Sequence, residues 1–456
     1  MITRIEIDGF KSFVGFGLDV RPRTVLMGAN GAGKSNLLDA LDFVRRTVAV
    51  GPPRVFDGDN PRLAVRDLFH HADGSDGSDG SEGSDGSEGS DGSSGSEGSG
   101  GAYTAPQLTI KIGMIVPSLH GPLPLVVRLG AARHGTPDGP VKATLRSGRV
   151  WVSSLMRTEW MDRLEMPAHL RGALAAARES FVASYGTDWA PLRGSGQGLG
   201  DRASEGARAL LRHVARETET WERITLDPAA MRRPFGGSDE MTLRPDGGNL
   251  AAVLHRLGAQ ELRDLEADLT ALIPDSSGVR PVFDDQRGEY GFDVRCRHTG
   301  WTSPPMLSDG TMRVLALLAA RYDDRRAGLL AVEEIENGLH PTLVAELVRR
   351  LSGDVDDFPD LVDRARLVSG FRQLMVTTHC PVLLSALRDD SALRDDTTGS
   401  LVFLDQAAHP DPARAGISTV TRARSVRAPL ADGEPGDTVT AEQVKYLLEP
   451  MGQVIA

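Results

Sequence analysis

The sequence predicts an α/β protein built on a parallel sheet, and three short stretches carry that prediction. Each is an apolar run of strand length followed by a helical pattern: residues 25–27 before "GANGAGKS", residues 329–332 before "EEIENGLHP", and residues 374–376 before "TTHCP". Unbroken apolar runs mark strands covered on both faces, as parallel strands are when helices flank them. With 456 residues, 40% of them hydrophobic, the chain can build two or three lobes around such a sheet.

Residues 28–35, "GANGAGKS", fit GxxxxGKS, and Leu37, Leu38, Leu41 and Val44 follow at helical spacing. Glycines at such positions let successive N–H groups and the helix N-terminus point at one anion. Lys34 adds a charge for the β- and γ-phosphates, and the Ser35 hydroxyl can ligate Mg²⁺. The expected ligands are therefore ATP and Mg²⁺, with Gly28, Asn30, Gly31, Gly33, Lys34 and Ser35 as the contacts.

The second run ends in Glu333 and Glu334. Ligands gather at the carboxyl ends of parallel strands, so these acids should face the same crevice as the loop. Glu333 is expected on the metal side, through water, and Glu334 as the group that polarises the attacking water. A solvated acidic turn is the alternative. The third run ends in Thr377, Thr378 and His379, before a helix that begins at a proline. A neutral imidazole there can donate to a γ-phosphate, although a lone histidine also serves structure. Residues 307–321, "LSDGTMRVLALLAAR", read as a helix capped by Ser308 or Asp309, with Val314, Leu317, Leu318 and Arg321 at helical spacing.

Composition narrows the setting. The net charge is −12, but the tract at 73–97 holds eight acids and no base, which leaves the rest of the chain at −4. Its repeating Asp/Glu-Gly-Ser triplets cannot bury apolar surface, so residues 73–101 read as a disordered insertion. Cys296 and Cys380 lack CxxC spacing and point to buried thiols in a reducing compartment. Without an apolar leader or a run of 18 apolar residues, a cytoplasmic protein with no membrane association is expected.

Taken in order, the loop, "LSDGT", the acid-tipped strand and "TTHCP" resemble the ABC-type ATPases of the SMC/RecF/OLD branch, the OLD-like AAA ATPases in particular. "IEIDGFKSF", "LRPDGGNLAAVLHRL" and "EEIENGLHP" resemble that branch's first strand and turn, its Gly-Asn-Leu helix and its Walker B with D-loop. The resemblance implies a three-layer head, a mixed sheet with a parallel core, interrupted by a helical insertion. It implies ATP hydrolysis with Glu334 and His379 as catalytic groups, and Ser35 and Glu333 at the metal. It further implies a homodimer formed on ATP, in which Ser308 and Gly310 of one copy complete the nucleotide site of the other. Roles in DNA repair or phage defence beside a separate effector follow from the same resemblance. Two features depart from the family: Glu333 stands where Asp is more frequent, and Asp309 where transporter heads have Gly.

Three segments follow: an N-terminal ATPase lobe at 1–150, a helical lid at 151–238 and a C-terminal ATPase lobe at 239–456. The lid reads as two helices, at about 154–185 and 201–223, too short for coiled-coil arms. Arg202, Arg208, Arg212, Arg216 and Arg223 recur on the second, as a DNA contact or a solvated basic face. Two rival functions stay open, a transporter's nucleotide-binding subunit and a nucleotide switch without hydrolysis. Only 77 residues follow His379. A TOPRIM nuclease domain, present in OLD nucleases, needs on the order of 100, so no DNA cleavage is expected.

Overall fold

The structure is a computed structural model that describes residues 1–50, 61–70, 107–134, 142–153, 166–185, 205–237, 242–364, 370–388, 399–411, 416–426 and 438–448. The acidic tract at 73–101, the Gly/Pro-rich segment at 186–200, Arg202, Asp432, Glu434 and Asp437 lie outside the described residues.

In chain order the strands are β1 (Ile2–Asp8), β2 (Phe16–Asp19), β3 (Arg23–Met27), β4 (Gln107–Ser118), β5 (Gly121–His134), β6 (Lys142–Ser153), β7 (Glu222–Ile224), β8 (Ser276–Asp284), β9 (Glu289–Cys296), β10 (Gly300–Thr302), β11 (Leu329–Val332), β12 (Gln373–Thr378), β13 (Gly399–Asp411), β14 (Gly416–Val426) and β15 (Thr438–Val439). The helices used below are α1 (Lys34–Val50), α2 (Ala168–Tyr185), α3 (Glu205–Glu219), α4 (Leu250–Arg256), α5 (Ala259–Leu272), α6 (Asp309–Tyr322), α7 (Pro341–Ser352), α8 (Pro381–Arg388) and α9 (Ala441–Leu448).

The central sheet runs β15-β14-β13-β3-β12-β11-β7. From β13 to β7 every pairing is parallel, and β14 adds an antiparallel strand beside β13. This is the mixed sheet with a parallel core that the sequence predicts. Every residue of β3, β11 and β12 is buried, because both faces are covered. Leu26, Ala331, Met375 and Leu404 face α1 and the inner side of a second, antiparallel sheet, ordered β2-β1-β4-β5-β6. Val25, Leu330, Val332 and Val376 face the opposite way, into a core shared with α4 to α8. A small three-stranded sheet, β10-β9-β8, packs beside α4 and α5.

The lid segment differs from its reading in one consequential place. The second helix ends at Glu219, and Arg223 lies on β7, hydrogen-bonded in parallel to β11. A turn at Thr220 and Trp221 ends the helix, and Trp221, Ile224 and Thr225 are aromatic or β-branched, suited to a pleated, half-buried surface. Arg208, Arg212 and Arg216 do sit on α3, exposed at intervals of four residues. Both cysteines are half-buried and unpaired. Among the described residues no helix is long and apolar enough to cross a membrane.

Candidate functional site

Residues 28–35 link β3 to α1, and the loop closes because Gly31 and Gly33 take φ values of +81° and +98°. Strands β13 and β14 brace it. A Cβ on Gly28 would lie 2.4 Å from the Leu404 carbonyl oxygen, and one on Gly33 would lie 2.2 Å from Thr421 Oγ1. Gln406 Nε2 donates to the Gly31 carbonyl at 3.0 Å, and the Gly28 N–H donates to Thr378 at the end of β12 at 3.3 Å. Asn30 is exposed at the loop's tip.

Lys34 is buried, and its Nζ donates to the carbonyls of Gly28 at 2.7 Å and Ala29 at 2.9 Å. Burial holds its ammonium below the usual lysine range, against the pull of Glu336, Glu334 and Glu333. The loop thus keeps a desolvated cation facing three carboxylates.

Glu333 follows β11 directly, and its two oxygens are shared between two elements. Ser35 Oγ donates to Oε1. Arg223 donates Nε at 3.0 Å and Nη2 at 2.5 Å to Oε2. The third nitrogen of the same guanidinium, Nη1, reaches Asp39 Oδ1 at 2.7 Å, one turn into α1. Asp39 is 1% exposed and also accepts from Lys11 Nζ at 2.5 Å and Arg62 Nε at 3.0 Å. Burial alone would raise its carboxyl, but Arg62, Lys11 and Arg223 hold it below the ordinary carboxylate range. Ser35 and Glu333 offer hard oxygen donors, and a serine that gives its proton to Glu333 leaves its lone pairs for a metal, so the pair fits Mg²⁺.

Glu334 is held in a strained conformation, φ +48°, which a non-glycine residue adopts only when its surroundings impose it. Its N–H donates to Thr377 Oγ1 at 2.9 Å, and Asn337 Nδ2 donates to its Oε2 at 2.7 Å. β12 and the turn after β11 therefore aim this carboxylate. His379 begins the chain beyond β12. Its N–H donates to Glu336 Oε1 at 2.6 Å, and its ring, 41% exposed, places Nδ1 2.9 Å from the same oxygen. Glu336 is a group the sequence reading passed over, although it lies inside "EEIEN".

Ser308 caps α6, its Oγ accepting from the Thr311 N–H at 3.1 Å. Ser308 and Asp309 are exposed, and a Cβ on Gly310 would lie 2.9 Å from the Gly338 carbonyl oxygen. The turn is pinned by Arg232, at the end of the short helix Pro228–Met231, whose Nη2 donates to Leu307 O at 2.9 Å and Asp309 Oδ1 at 2.6 Å. Beside the N-terminus of α1, Lys11, Ser12, Asn36, Arg62, Asp67, Phe69, His70 and Thr419 line an open cleft of about 480 Å³.

A family model described as "AAA domain, putative AbiEii toxin, Type IV TA system" matches residues 23–101 and 201–385, more than half of the chain. No curated protein matches it in sequence. Among solved structures, the chain is similar to the SMC head bound to the C-winged helix domain of ScpA, at 15% identity, over 93% of this chain and 98% of that one, with a TM-score of 0.43. It is similar to the SMC head domain from Thermotoga maritima, at 12% identity, over 94% and 99%, with a TM-score of 0.39. It is also similar to the Smc head domain with a coiled coil and joint from Pyrococcus yayanosii, at 12% identity, over 98% and 99%, with a TM-score of 0.44. The matched family segments hold the loop at 28–35, Arg223, the turn at 308–311, both glutamates after β11 and His379, and the chain belongs to this AbiEii-type AAA domain family.

Proposed function

We propose that the protein binds and hydrolyses ATP at the loop of residues 28–35, and that ATP joins two copies into a homodimer. The observation that carries this reading is the convergence of Lys34, Ser35, Glu333 and Glu334, from two segments far apart in the chain, on one glycine-braced loop. Phosphate oxygens would take over the Lys34 ammonium from the Gly28 and Ala29 carbonyls, while the loop N–H groups and the α1 N-terminus stabilise the same charge. Ser35 and Glu333 would hold Mg²⁺, which supplies charge neutralisation for the β- and γ-phosphates. Glu334, fixed by Thr377 and Asn337, would accept a proton from the attacking water, and His379 would sense the γ-phosphate. The cleft lined by Lys11, Asn36 and Phe69 is our assignment for the nucleoside.

Ser308 and Gly310, exposed or nearly so at a helix N-terminus, would complete the site of the second copy. The family's description as a putative toxin of a type IV system favours defence over DNA repair; a separate effector, and Arg208, Arg212 and Arg216 for any contact with DNA, are our own assignments. A second reading, a nucleotide switch without turnover, is favoured by Glu333 in place of Asp. Two variants test the proposal. Lys34→Ala should lose binding of a fluorescent ATP analogue and ATP-dependent dimerisation by light scattering, whereas Glu334→Gln should keep both and lose steady-state phosphate release. Undiminished dimerisation in Lys34→Ala would sink the assignment, and absence of phosphate release from the wild type would select the switch.

A further inference from the structure

Arg223 owes its place to strand period. β7 pairs with β11 so that Glu222 lies opposite Leu330, Arg223 opposite Ala331 and Ile224 opposite Val332. Side chains alternate, so Arg223 joins Ala331 on the face toward α1, and Glu333, two residues beyond Ala331, returns to that face. The Glu333 N–H donates to the Ile224 carbonyl at 3.1 Å, which fixes the carboxylate level with the guanidinium. One planar fork then spans two acids, with Nε and Nη2 on Glu333 and Nη1 on Asp39. Exposures of 21% for Arg223, 8% for Glu333 and 1% for Asp39 keep water from screening these contacts.

The charges matter more than the bonds. Lys11, Arg62 and Arg223 meet Asp39 and Glu333, so the charge of Glu333 is offset within the cluster, chiefly by the Arg223 guanidinium. A divalent cation arriving alone meets a carboxylate whose charge is already offset. Nucleotide phosphates reverse that balance.

We propose that Arg223 is a built-in counter-ion of Glu333: it orients this carboxylate and suppresses its affinity for a free divalent cation, so that metal is taken up together with nucleotide. The proposal rests on the reading of Ser35 and Glu333 as the metal-side pair. Arg223 is here a positioning residue, acting through Glu333.

The probe is Mn²⁺ alone, titrated into the full-length protein without nucleotide and followed by electron paramagnetic resonance. Arg223→Gln, which keeps a hydrogen-bonding head and loses the charge, should bind Mn²⁺ at least ~10-fold tighter than wild type, a change of about 1.4 kcal/mol. Adding Glu333→Gln should abolish that gain. Arg223→Lys keeps a charge without a fork that spans both acids and should fall between wild type and Arg223→Gln. Unchanged Mn²⁺ affinity in Arg223→Gln, at a wild-type circular dichroism spectrum and melting midpoint, overturns the proposal. If Arg223→Gln does not fold, Arg223→Lys decides in the same way, a gain supporting the proposal and its absence overturning it. A gain that survives Glu333→Gln also overturns it. Loss of the nucleotide-site reading would show separately, as wild-type protein that fails to bind the fluorescent ATP analogue.

Discussion

Glu222 neighbours Arg223 but faces the other side of the sheet, where burial pushes its carboxyl up to about 7 against a hydrogen bond from Thr242 and the charge of Arg326. An unfolded chain releases this proton near 4.5. Between those values the folded state holds a proton that the unfolded state lacks, so the contribution to stability is full below 4.5 and is lost as pH rises through 7. Glu222→Gln imitates the protonated form. It should match wild type in unfolding free energy from urea titrations below pH 4.5 and exceed it at pH 8, by up to about 3 kcal/mol; parallel pH profiles for the two proteins would refute the burial argument. At this scale legibility divides by sequence distance. Lys34, Ser35, Glu333 and Glu334 are readable because each stands in a short pattern whose chemistry is local. Arg223 stands in no such pattern: its partners, Asp39 and Glu333, lie 184 and 110 residues away and meet it only through strand pairing.

Strand β7 shows how an element is misread. "ARETETWERITL" carries a helical charge pattern as far as Glu219, and three residues of strand are too few for alternation to register. What decides their state is an open edge on β11, a tertiary fact. The apolar runs within β3, β11 and β12 were legible because strands buried on both faces have apolar residues at successive positions, with polar ones confined to the ends of β3 and β12. Strand β14 has a task that its sequence does not announce, since Thr421 fills the space under the loop at 28–35. Gly33→Ala would place a methyl 2.2 Å from Thr421 Oγ1 at a φ of +98°. Displacement of the loop should cost about 1–3 kcal/mol in chemical denaturation and abolish binding of the ATP analogue. A Gly33→Ala protein with wild-type stability and binding would show that β14 yields easily.

At the scale of the whole molecule, the proposed dimer makes a prediction that a self-contained site does not. Lys34→Ala chains lack the loop charge and Ser308→Arg chains lack the capping turn, so a mixed dimer holds one site with both and one with neither. Phosphate release from an equal mixture should rise well above that of either variant alone, since only the mixed pair holds a complete site. Release no higher than either variant alone, at every mixing ratio, would argue for sites complete within one chain. The three-layer head itself was legible from its motifs. The antiparallel sheet of β1, β2 and β4 to β6 was not, because its strands lack the markers that phosphate chemistry leaves on the others.

The order of the central sheet sets a schedule for the chain's own birth. β3, which leads into the loop at 28–35, lies between β12 and β13, strands drawn from residues 373–378 and 399–411. At about 5–20 residues per second, a ribosome delivers those neighbours roughly twenty to seventy seconds after β3 emerges. Throughout that interval "RTVLM" has no strand to pair with in its final sheet, and the loop behind it has nothing to brace it. Long-range parallel pairing of this kind forms late and slowly. Strand β3, apolar from Val25 to Met27, therefore waits for neighbours made much later, and a nascent chain halted before residue 373 presents it to whatever holdase or protease reaches it first.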